Sequence, residues 1–238
     1  MSQANEPIKR RKLSDEVQER LLALIRSQKL KPGAPIPSER ELMAEYQVGR
    51  PAIREAMQNL HRMGLIEIKH GERPRISEPS LQALVEPMAL SMHHLLTHSS
   101  STMENLKEAR LLFEIQMVRI AATRRTDADV QLLREVLAKQ ESLRSEPEGF
   151  LQHDGLFHCQ IAEISGNPLF ASVSSAIFDW LAQFHVELVR HPGFEQLTLD
   201  EHAEILEAVA AQDADAAERA MSDHLTRANR LYRQDHAR

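Results

Sequence analysis

The segment from residue 36 to residue 77 constrains the fold of this chain more than any other part. It has the pattern of two short helices, a tight turn and a two-stranded ribbon. Ser38 and Glu41 have the S-x-x-E spacing of a capping box, which predicts that the first helix begins beside them. Because Pro51 is tolerated only in the first turn of a helix, the second helix is expected from about Arg50.

The second predicted helix has an apolar face and a separate cationic face. Apolar residues recur every three or four positions, the period of one buried helical face; they are Ile53, Met57, Leu60 and Met63. Arg50 and Arg54 fall on a different face. Beyond Gly64, residues 65–68 alternate as a half-buried strand does, and His70-Gly71 turns the chain back.

Two helices at a tight turn followed by a basic ribbon predict a winged helix-turn-helix. Its second helix fits the major groove of DNA, where an arginine can bind O6 and N7 of guanine together. The alternative is a small helical subdomain with solvated arginines. The order of cap, turn, cationic face and ribbon favours DNA binding.

Charge divides the chain unequally. Residues 1–79 contain 15 Lys and Arg against 11 Asp and Glu, whereas residues 80–238 contain 14 against 24. A basic first third joined to an acidic remainder indicates phosphate contact at one end only. The single cysteine suits a reducing cytoplasm, no apolar run reaches the ~18 residues of a membrane span, and the N-terminus is too polar for a signal peptide.

These patterns predict a mainly α chain in three parts. Residues 1–12 form a basic arm that either contacts DNA or serves as a solubilising tail. Residues 13–79 form the winged helix-turn-helix, with a further helix over 13–28. Residues 80–238 form an antiparallel bundle of about seven helices, whose interior is a natural ligand site. Capping motifs mark four of its helix starts: Ser101-x-x-Glu104, Thr126-x-x-Asp129, Thr198-x-x-Glu201 and Asp215-x-x-Glu218.

Four residues of the bundle have the spacing of a metal site. Asp154 and His158 lie one turn apart on one helix. His202 and His224 each lie eleven residues from a turn around Asp213, so an antiparallel hairpin would place them side by side. Three imidazoles and a carboxylate suit Zn²⁺, or Ni²⁺ or Mn²⁺. Each residue alone is more often found at the surface or in the core.

Two other pairs in the bundle are ambiguous. Arg110 and Glu114 have the i, i+4 spacing of a surface ion pair, but an arginine in a bundle cavity would instead bind a ligand carboxylate. Cys159 follows His158, yet its side chain points about 100° away, so a Cys–His dyad is not expected.

The chain resembles the GntR family of bacterial transcription regulators, in the FadR-like subgroup with a helical FCD ligand domain. The resemblance rests on PSERELMAEYQVGRPAIREAMQNLHRMGLIEI, on DGLFH and AEISGNP, and on EHAEILEAVAAQDADAAERAMSDHL. It implies a homodimer that binds double-stranded operator DNA through Arg40, Arg50 and Arg54, with His70-Gly71 at the wing tip. It also implies a metal held by Asp154, His158, His202 and His224.

Further stretches, including KLSDEV, GERPRISEPS and DWL, resemble those of the sialic-acid-responsive members. The resemblance therefore implies a repressor whose effector is N-acetylneuraminate, with Arg110 and Glu114 as candidate effector-binding residues. A regulator of another sugar acid, such as a hexuronate, would share most of these residues. A metal sensor and a metal-dependent enzyme are the rival classes. The sequence shows no obvious second carboxylate base near the metal, so we expect no enzyme activity.

Overall fold

The computed structural model describes residues 12–80, 82–188 and 194–234. Residues 1–11 of the predicted basic arm lie outside these ranges. The chain divides into two compact units, 1–87 and 88–238. Among the described residues, no helix is both long and apolar enough to cross a membrane.

The first unit contains three helices and a short ribbon. They are α1 (Leu13–Ser27), α2 (Glu39–Tyr46), α3 (Arg50–Arg62), β1 (Ile66–Glu67) and β2 (Arg75–Ile76). The strands are antiparallel, with Ile66 opposite Ile76. The strand predicted over 65–68 is therefore shorter than expected.

Local chemistry sets the helix-turn-helix. Ser38 and Glu41 form the predicted capping box at the start of α2. Gln47 ends that helix in the left-handed conformation, with φ of 54°. Gly49 then has an extended backbone conformation, with φ of −68° and ψ of 153°, and is the N-cap of α3. Pro51 lies in the first turn of α3. The left-handed turn residue is thus Gln47 and not the glycine.

One apolar core holds the first unit together. It joins all three helices to the ribbon through Val17, Leu21, Leu42, Ile53, Leu60 and Ile66, all almost fully buried. Met63, expected on the buried face, is 54% exposed. It follows the last residue of α3 as the C-cap, so the periodicity of the helix no longer fixes its direction.

The ribbon gains a third partner from the chain before α2. The Gly33 amide donates to the Ile76 carbonyl at 2.8 Å, and the Ile36 amide donates to the Pro74 carbonyl at 2.9 Å. At the far end, Gly71 adopts a φ of +77°, which only glycine accepts at little cost. The turn at His70-Gly71 therefore forms even though Pro74 follows it closely.

Beyond the ribbon the described residues are all-α, as predicted, and their seven helices match the expected number; the first of them spans the boundary at residues 87–88 and the other six lie in the second unit. They are α4 (Gln82–His98), α5 (Ser100–Arg124), α6 (Asp127–Ser142), α7 (Pro147–Ile164), α8 (Pro168–Leu188), α9 (Phe194–Ala210) and α10 (Ala214–Gln234). The mainly α fold class is confirmed.

Capping chemistry explains where these helices begin, with three corrections. Thr126 and Asp129 form their predicted capping box. Ser99 rather than Ser101 caps α5, since its hydroxyl accepts from the Thr102 amide. Asp213 caps α10 in place of Asp215 by accepting from the Ala216 amide. Residue 198 lies within α9, not at its start.

The main core of the bundle lies among α5, α6, α7, α9 and α10. Its largest fully buried side chains include Leu133, Phe157, Ile161, Ile205 and Met221. In this core α5 packs directly against α7, α9 and α10, and α6 packs against α7 and α9. Polar side chains that point inward from them are therefore removed from water and must find partners within the bundle.

Candidate metal centre and nucleic-acid interface

Three histidines from three helices meet inside the bundle. They are His158 on α7, His202 on α9 and His224 on α10, and none is more than 3% exposed. One nitrogen from each ring lies within 4.8 Å of the others. The His202 and His224 rings are 4.8 Å apart, as the equal spacing from the α9–α10 turn predicts.

Each of these histidines presents its Nδ1 to an acceptor on a neighbouring helix. His202 Nδ1 is 2.9 Å from the Gln140 amide oxygen, and His224 Nδ1 is 2.7 Å from a Glu201 carboxylate oxygen. His158 Nδ1 contacts Glu114. A hydrogen bond from Nδ1 leaves the Nε2 lone pair available to a metal.

Two of the Nε2 atoms, those of His158 and His202, are buried without a hydrogen-bond partner among the described residues. An unsatisfied buried nitrogen costs about 1–3 kcal/mol. Burial lowers the pKa of His202 well below its ordinary value and also lowers the pKa of His224. Both imidazoles are therefore neutral at pH 7, which is the form that binds a metal.

Asp154 places a carboxylate beside the three histidines, although its oxygens are not among the ligand atoms that all lie within 4.8 Å of one another. It lies one turn before His158, and its Oδ1 is 3.5 Å from His202 Nε2. Its side chain is 13% exposed and lies on the wall of a cavity of about 410 Å³ between α7 and α8. Three imidazole nitrogens and one carboxylate oxygen fit a divalent ion of the zinc, nickel or manganese type.

Arg110 and Glu114 form a buried pair, so the surface ion-pair alternative is wrong. Each residue is 3% exposed, and Arg110 Nε donates to Glu114 Oε1 at 2.5 Å. The guanidinium carbon also lies 4.4 Å from the centre of the Phe178 ring. Although burial alone raises the pKa of Glu114, the charges of His158 and Arg110 bring it down to about 2.

Sequence reasoning missed several residues around the histidines. Glu201 receives two hydrogen bonds of 2.5 Å from Arg227, one to each carboxylate oxygen. Gln140 contacts both His202 and Asp154. Glu201 and Arg227 lie at unequal distances from the turn at Asp213, so the hairpin spacing argument does not indicate this pair, and no local signal indicates Gln140.

The carboxylates near the centre do not have the character of catalytic bases. Glu114 and Glu201 both contact the histidines, contrary to the expectation of no second carboxylate there. Each is paired with an arginine. Burial raises the pKa of Glu201, but His224 and Arg227 lower it further than burial raises it. Burial also raises the pKa of the Cys159 thiol to about 11, so it is protonated at neutral pH.

The predicted DNA-contacting residues lie at the surface of the first unit. The Arg50 and Arg54 side chains are 67% and 58% exposed. Both approach Glu39, at 2.9 Å and 3.5 Å respectively, so their guanidinium groups lie together at the start of α3. Arg40 is exposed on α2, as are His70 and Gly71 at the wing tip.

Arg73 ties the base of the wing to helix α2. Its Nη2 lies 2.7 Å from a Glu41 carboxylate oxygen, and its Nε donates to the Ile36 carbonyl at 3.1 Å. Nearer the tip, the Glu72 amide donates to the Lys69 carbonyl at 3.2 Å. These contacts hold residues 72–74, which follow the wing tip, within the ribbon.

A winged helix-turn-helix with exposed arginines, in a chain that also has a helical bundle with a buried polar centre, defines a ligand-responsive DNA-binding regulator. Residues 13–76 match the model of the bacterial regulatory proteins of the gntR family, and residues 105–227 match the FCD domain. The chain belongs to the GntR family of bacterial regulatory proteins and contains an FCD domain, as the resemblance implied.

Curated relatives support the same assignment. The HTH-type transcriptional repressor NanR of Cronobacter sakazakii is 37% identical over 92% of this chain and 85% of its own length. The protein of that name from Edwardsiella tarda is 38% identical with the same coverage. Because these relatives are transcriptional repressors, the prediction that the chain is not an enzyme is confirmed.

Solved structures agree on the fold. Streptococcus agalactiae GntR is 28% identical, with a TM-score of 0.63 over 91% of this chain and 99% of that one. E. coli McbR/YncC, at 16% identity and a TM-score of 0.54, covers 95% of this chain and 100% of its own and supports the fold alone. The chain is thus a ligand-responsive GntR/FCD transcriptional repressor similar to NanR.

Proposed function

We propose that this chain represses sialic acid catabolism genes by binding operator DNA as a homodimer. N-acetylneuraminate binds beside a divalent metal in the helical unit and changes the affinity for the operator. The observation that carries the proposal is the buried set of His158, His202 and His224, with Asp154 beside them. Within the described parts of the chain, the Nε2 atoms of His158 and His202 have no hydrogen-bond partner. The functional division is into the arm at 1–12, the DNA-binding domain at 13–79 and the effector and dimerisation domain at 80–238.

The chemistry of the centre suits a sugar acid. Asp154 and the three histidines would hold zinc, with nickel or manganese as alternatives. When bound, the metal supplies a positive charge and open coordination positions for a carboxylate in a region of low dielectric. Arg110 lies close by in the buried network, and its guanidinium can provide a second cationic partner. Glu114 orients this guanidinium and, through its contact, His158.

The choice of N-acetylneuraminate among sugar acids rests on relatedness. The relatives that bear the name NanR match this chain over more than nine-tenths of its length. The resemblance of KLSDEV, GERPRISEPS and DWL points to the same sialic-acid-responsive members. A hexuronate is the alternative effector, and the metal alone is the alternative signal.

Arg40, Arg50 and Arg54 carry the interaction with DNA, and His70-Gly71 approaches the duplex from the wing. Arg50 and Arg54 are held side by side by Glu39 before DNA binds. On the operator, their guanidinium groups would turn from this carboxylate to guanine edges and phosphates. Glu39 would then reduce the net free energy gained on DNA binding, because each arginine exchanges one hydrogen-bond acceptor for another.

The effector can control DNA binding only if it binds two arrangements of the protein unequally. A 100-fold change in operator affinity corresponds to about 2.7 kcal/mol, which is within the usual range of such coupling. The test is fluorescence anisotropy of a labelled operator with zinc-loaded protein, titrated with N-acetylneuraminate, a hexuronate and zinc alone. Release by N-acetylneuraminate supports the proposal.

Release by the hexuronate alone would transfer the proposal to another sugar acid. Release by zinc without any sugar acid would make the chain a metal sensor. A response to N-acetylneuraminate in metal-free protein at the same concentrations would contradict a role for the metal.

Arg54→Ala is expected to weaken operator binding by about 1–3 kcal/mol, since a bidentate contact to guanine contributes roughly that much discrimination. The variant should also tolerate a changed base at one operator position better than wild type does. Anisotropy at fixed salt measures both effects. Arg134→Ala is the control, because Arg134 is an exposed arginine on α6. Equal operator affinity in Arg54→Ala and Arg134→Ala would contradict the assignment.

A further inference from the structure

Gln140 is a fully buried amide that reaches two candidate metal ligands at once. It lies near the end of α6, a helix that contributes no ligand, and its exposure is 0%. Its Oε1 is 2.9 Å from His202 Nδ1, and its Nε2 donates to Asp154 Oδ1 at 3.4 Å. The two ends of one side chain therefore contact ligands from two different helices.

A polar residue is unexpected at position 140 of α6. Leu133 and Leu137 on the same face pack in the apolar core, and residue 140 continues their helical period. An apolar side chain would be the ordinary occupant. A buried amide costs free energy unless both of its ends are hydrogen-bonded. Gln140 meets that condition only through His202 and Asp154 among the described residues.

The direction of the amide decides which nitrogen of His202 is free. An ionised Asp154 can only accept hydrogen bonds, so it must face the NH₂ end of Gln140. The carbonyl end then faces His202 Nδ1, which must carry the ring proton. That tautomer leaves the His202 Nε2 lone pair pointing at the other histidines. The reversed amide would place the proton on Nε2 and block coordination.

We infer that Gln140 is the positioning residue that fixes the His202 tautomer and orients the Asp154 carboxylate for the metal. This inference rests on the proposed metal centre. This role also explains why the residue that contacts His202 has an amide side chain, whereas carboxylates contact the other two histidines. A carboxylate at this position would accept from His202 equally well but would repel Asp154.

Two variants separate the two ends of the amide. Gln140→Leu removes both contacts, and Gln140→Glu keeps the acceptor for His202 but loses the donor to Asp154. Gln131→Leu is the matched control, because Gln131 is exposed on the same helix and its amide donates to Glu135 at 3.1 Å. Circular dichroism of the metal-free proteins establishes that each variant is folded.

The first readout needs no metal. Long-range ¹H–¹⁵N spectra of histidine-labelled, metal-free protein at pH 8 report which ring nitrogen of His202 carries the proton. Wild type, Gln140→Glu and Gln131→Leu are expected to show the Nδ1–H tautomer, whereas Gln140→Leu shifts toward Nε2–H. An unchanged tautomer in Gln140→Leu, or a shifted one in Gln140→Glu, would overturn the assignment of the His202 contact.

The second readout is zinc affinity, measured by competition with a chromophoric chelator. Loss of an outer partner of a metal ligand typically weakens binding by about 10–100-fold, and we expect a loss of this size in Gln140→Leu. Gln140→Glu should also bind zinc more weakly than wild type. If Gln140→Leu does not fold, the nearly isosteric Gln140→Glu still tests the positioning role. Weaker zinc binding with the Nδ1–H tautomer kept supports the inference. Zinc affinity equal to that of wild type overturns it.

The outcomes separate this inference from the proposed metal centre. Zinc binding by wild type, with affinity unchanged in both Gln140 variants, would overturn the positioning role and leave the centre in place. Failure of wild type to bind zinc would overturn the centre and, with it, the role of Gln140 toward a metal.

Discussion

His224→Ala is expected to lose tightly held zinc and, with it, the response to a sugar acid. The substitution removes one of three imidazoles that approach one point inside the bundle. Zinc affinity should fall by more than about 100-fold, beyond the usual cost of losing an outer partner of a ligand. Chelator competition gives the affinity, and elemental analysis after dialysis gives the zinc retained.

Thermal unfolding supplies an independent measurement of the same change. A ligand at 100 times its Kd stabilises the native state by about 2.7 kcal/mol. Added zinc should therefore raise the melting temperature of wild type but not of His224→Ala at the same concentration. Full zinc content in the dialysed variant would show that His224 is not a ligand.

His153→Ala is the control for this prediction. His153 lies on α7, one residue before Asp154, but its Nδ1 contacts the Gly149 carbonyl of the same helix at 2.9 Å. Its replacement should leave zinc affinity and zinc-dependent stabilisation at wild-type values. A loss of zinc equal to that of His224→Ala would mean that any histidine substitution near the centre disturbs it.

Glu114→Ala is expected to destabilise the metal-free protein by about 3–5 kcal/mol, the usual cost of removing one partner of a buried ion pair. Arg110 is 3% exposed, so its guanidinium would stay charged in the core without the Glu114 carboxylate. His158 would lose its Nδ1 contact as well. Urea unfolding in the presence of a chelator measures the change in the free energy of unfolding.

Two further variants show whether burial causes this cost. The double variant Arg110→Met/Glu114→Leu should be less destabilised than Glu114→Ala, because no unpaired charge remains buried. Glu16→Ala breaks the Arg20–Glu16 pair, which has the same i, i+4 spacing but side chains 55% and 50% exposed. It should cost less than about 1 kcal/mol. Similar losses in Glu16→Ala and Glu114→Ala would contradict the explanation.

The sequence by itself determined the helices and the class of protein. Capping boxes at Ser38 and Thr126, and prolines at 51 and 147, act within one helical turn, so they can be read without knowledge of the fold. Equal spacing from one turn likewise placed His202 beside His224, because a helical hairpin has a fixed rise per residue. The family motifs added the match to GntR and FCD proteins.

Local sequence signals did not determine the exact end of a helix where two possible end residues lie close together. Ser99 and Ser101 are both possible caps, as are Asp213 and Asp215, and in each case the earlier residue caps the helix. Met63 fits the apolar period of α3 but lies just beyond its last turn. Each of these differences spans only one or two residues, which is the range within which alternative helix ends have similar sequence signals.

Only the tertiary structure decided which polar groups surround the histidines. Arg110 and Glu114 have the spacing of an ordinary surface pair, and their burial follows from how α5 is rotated against α7. Gln140 reaches His202 across 62 positions of sequence, so no local pattern could indicate the contact. The physical reason is one of range. Helix formation and capping depend on neighbours within one turn, whereas hydrogen bonds between helices depend on the rotation and depth at which whole helices pack.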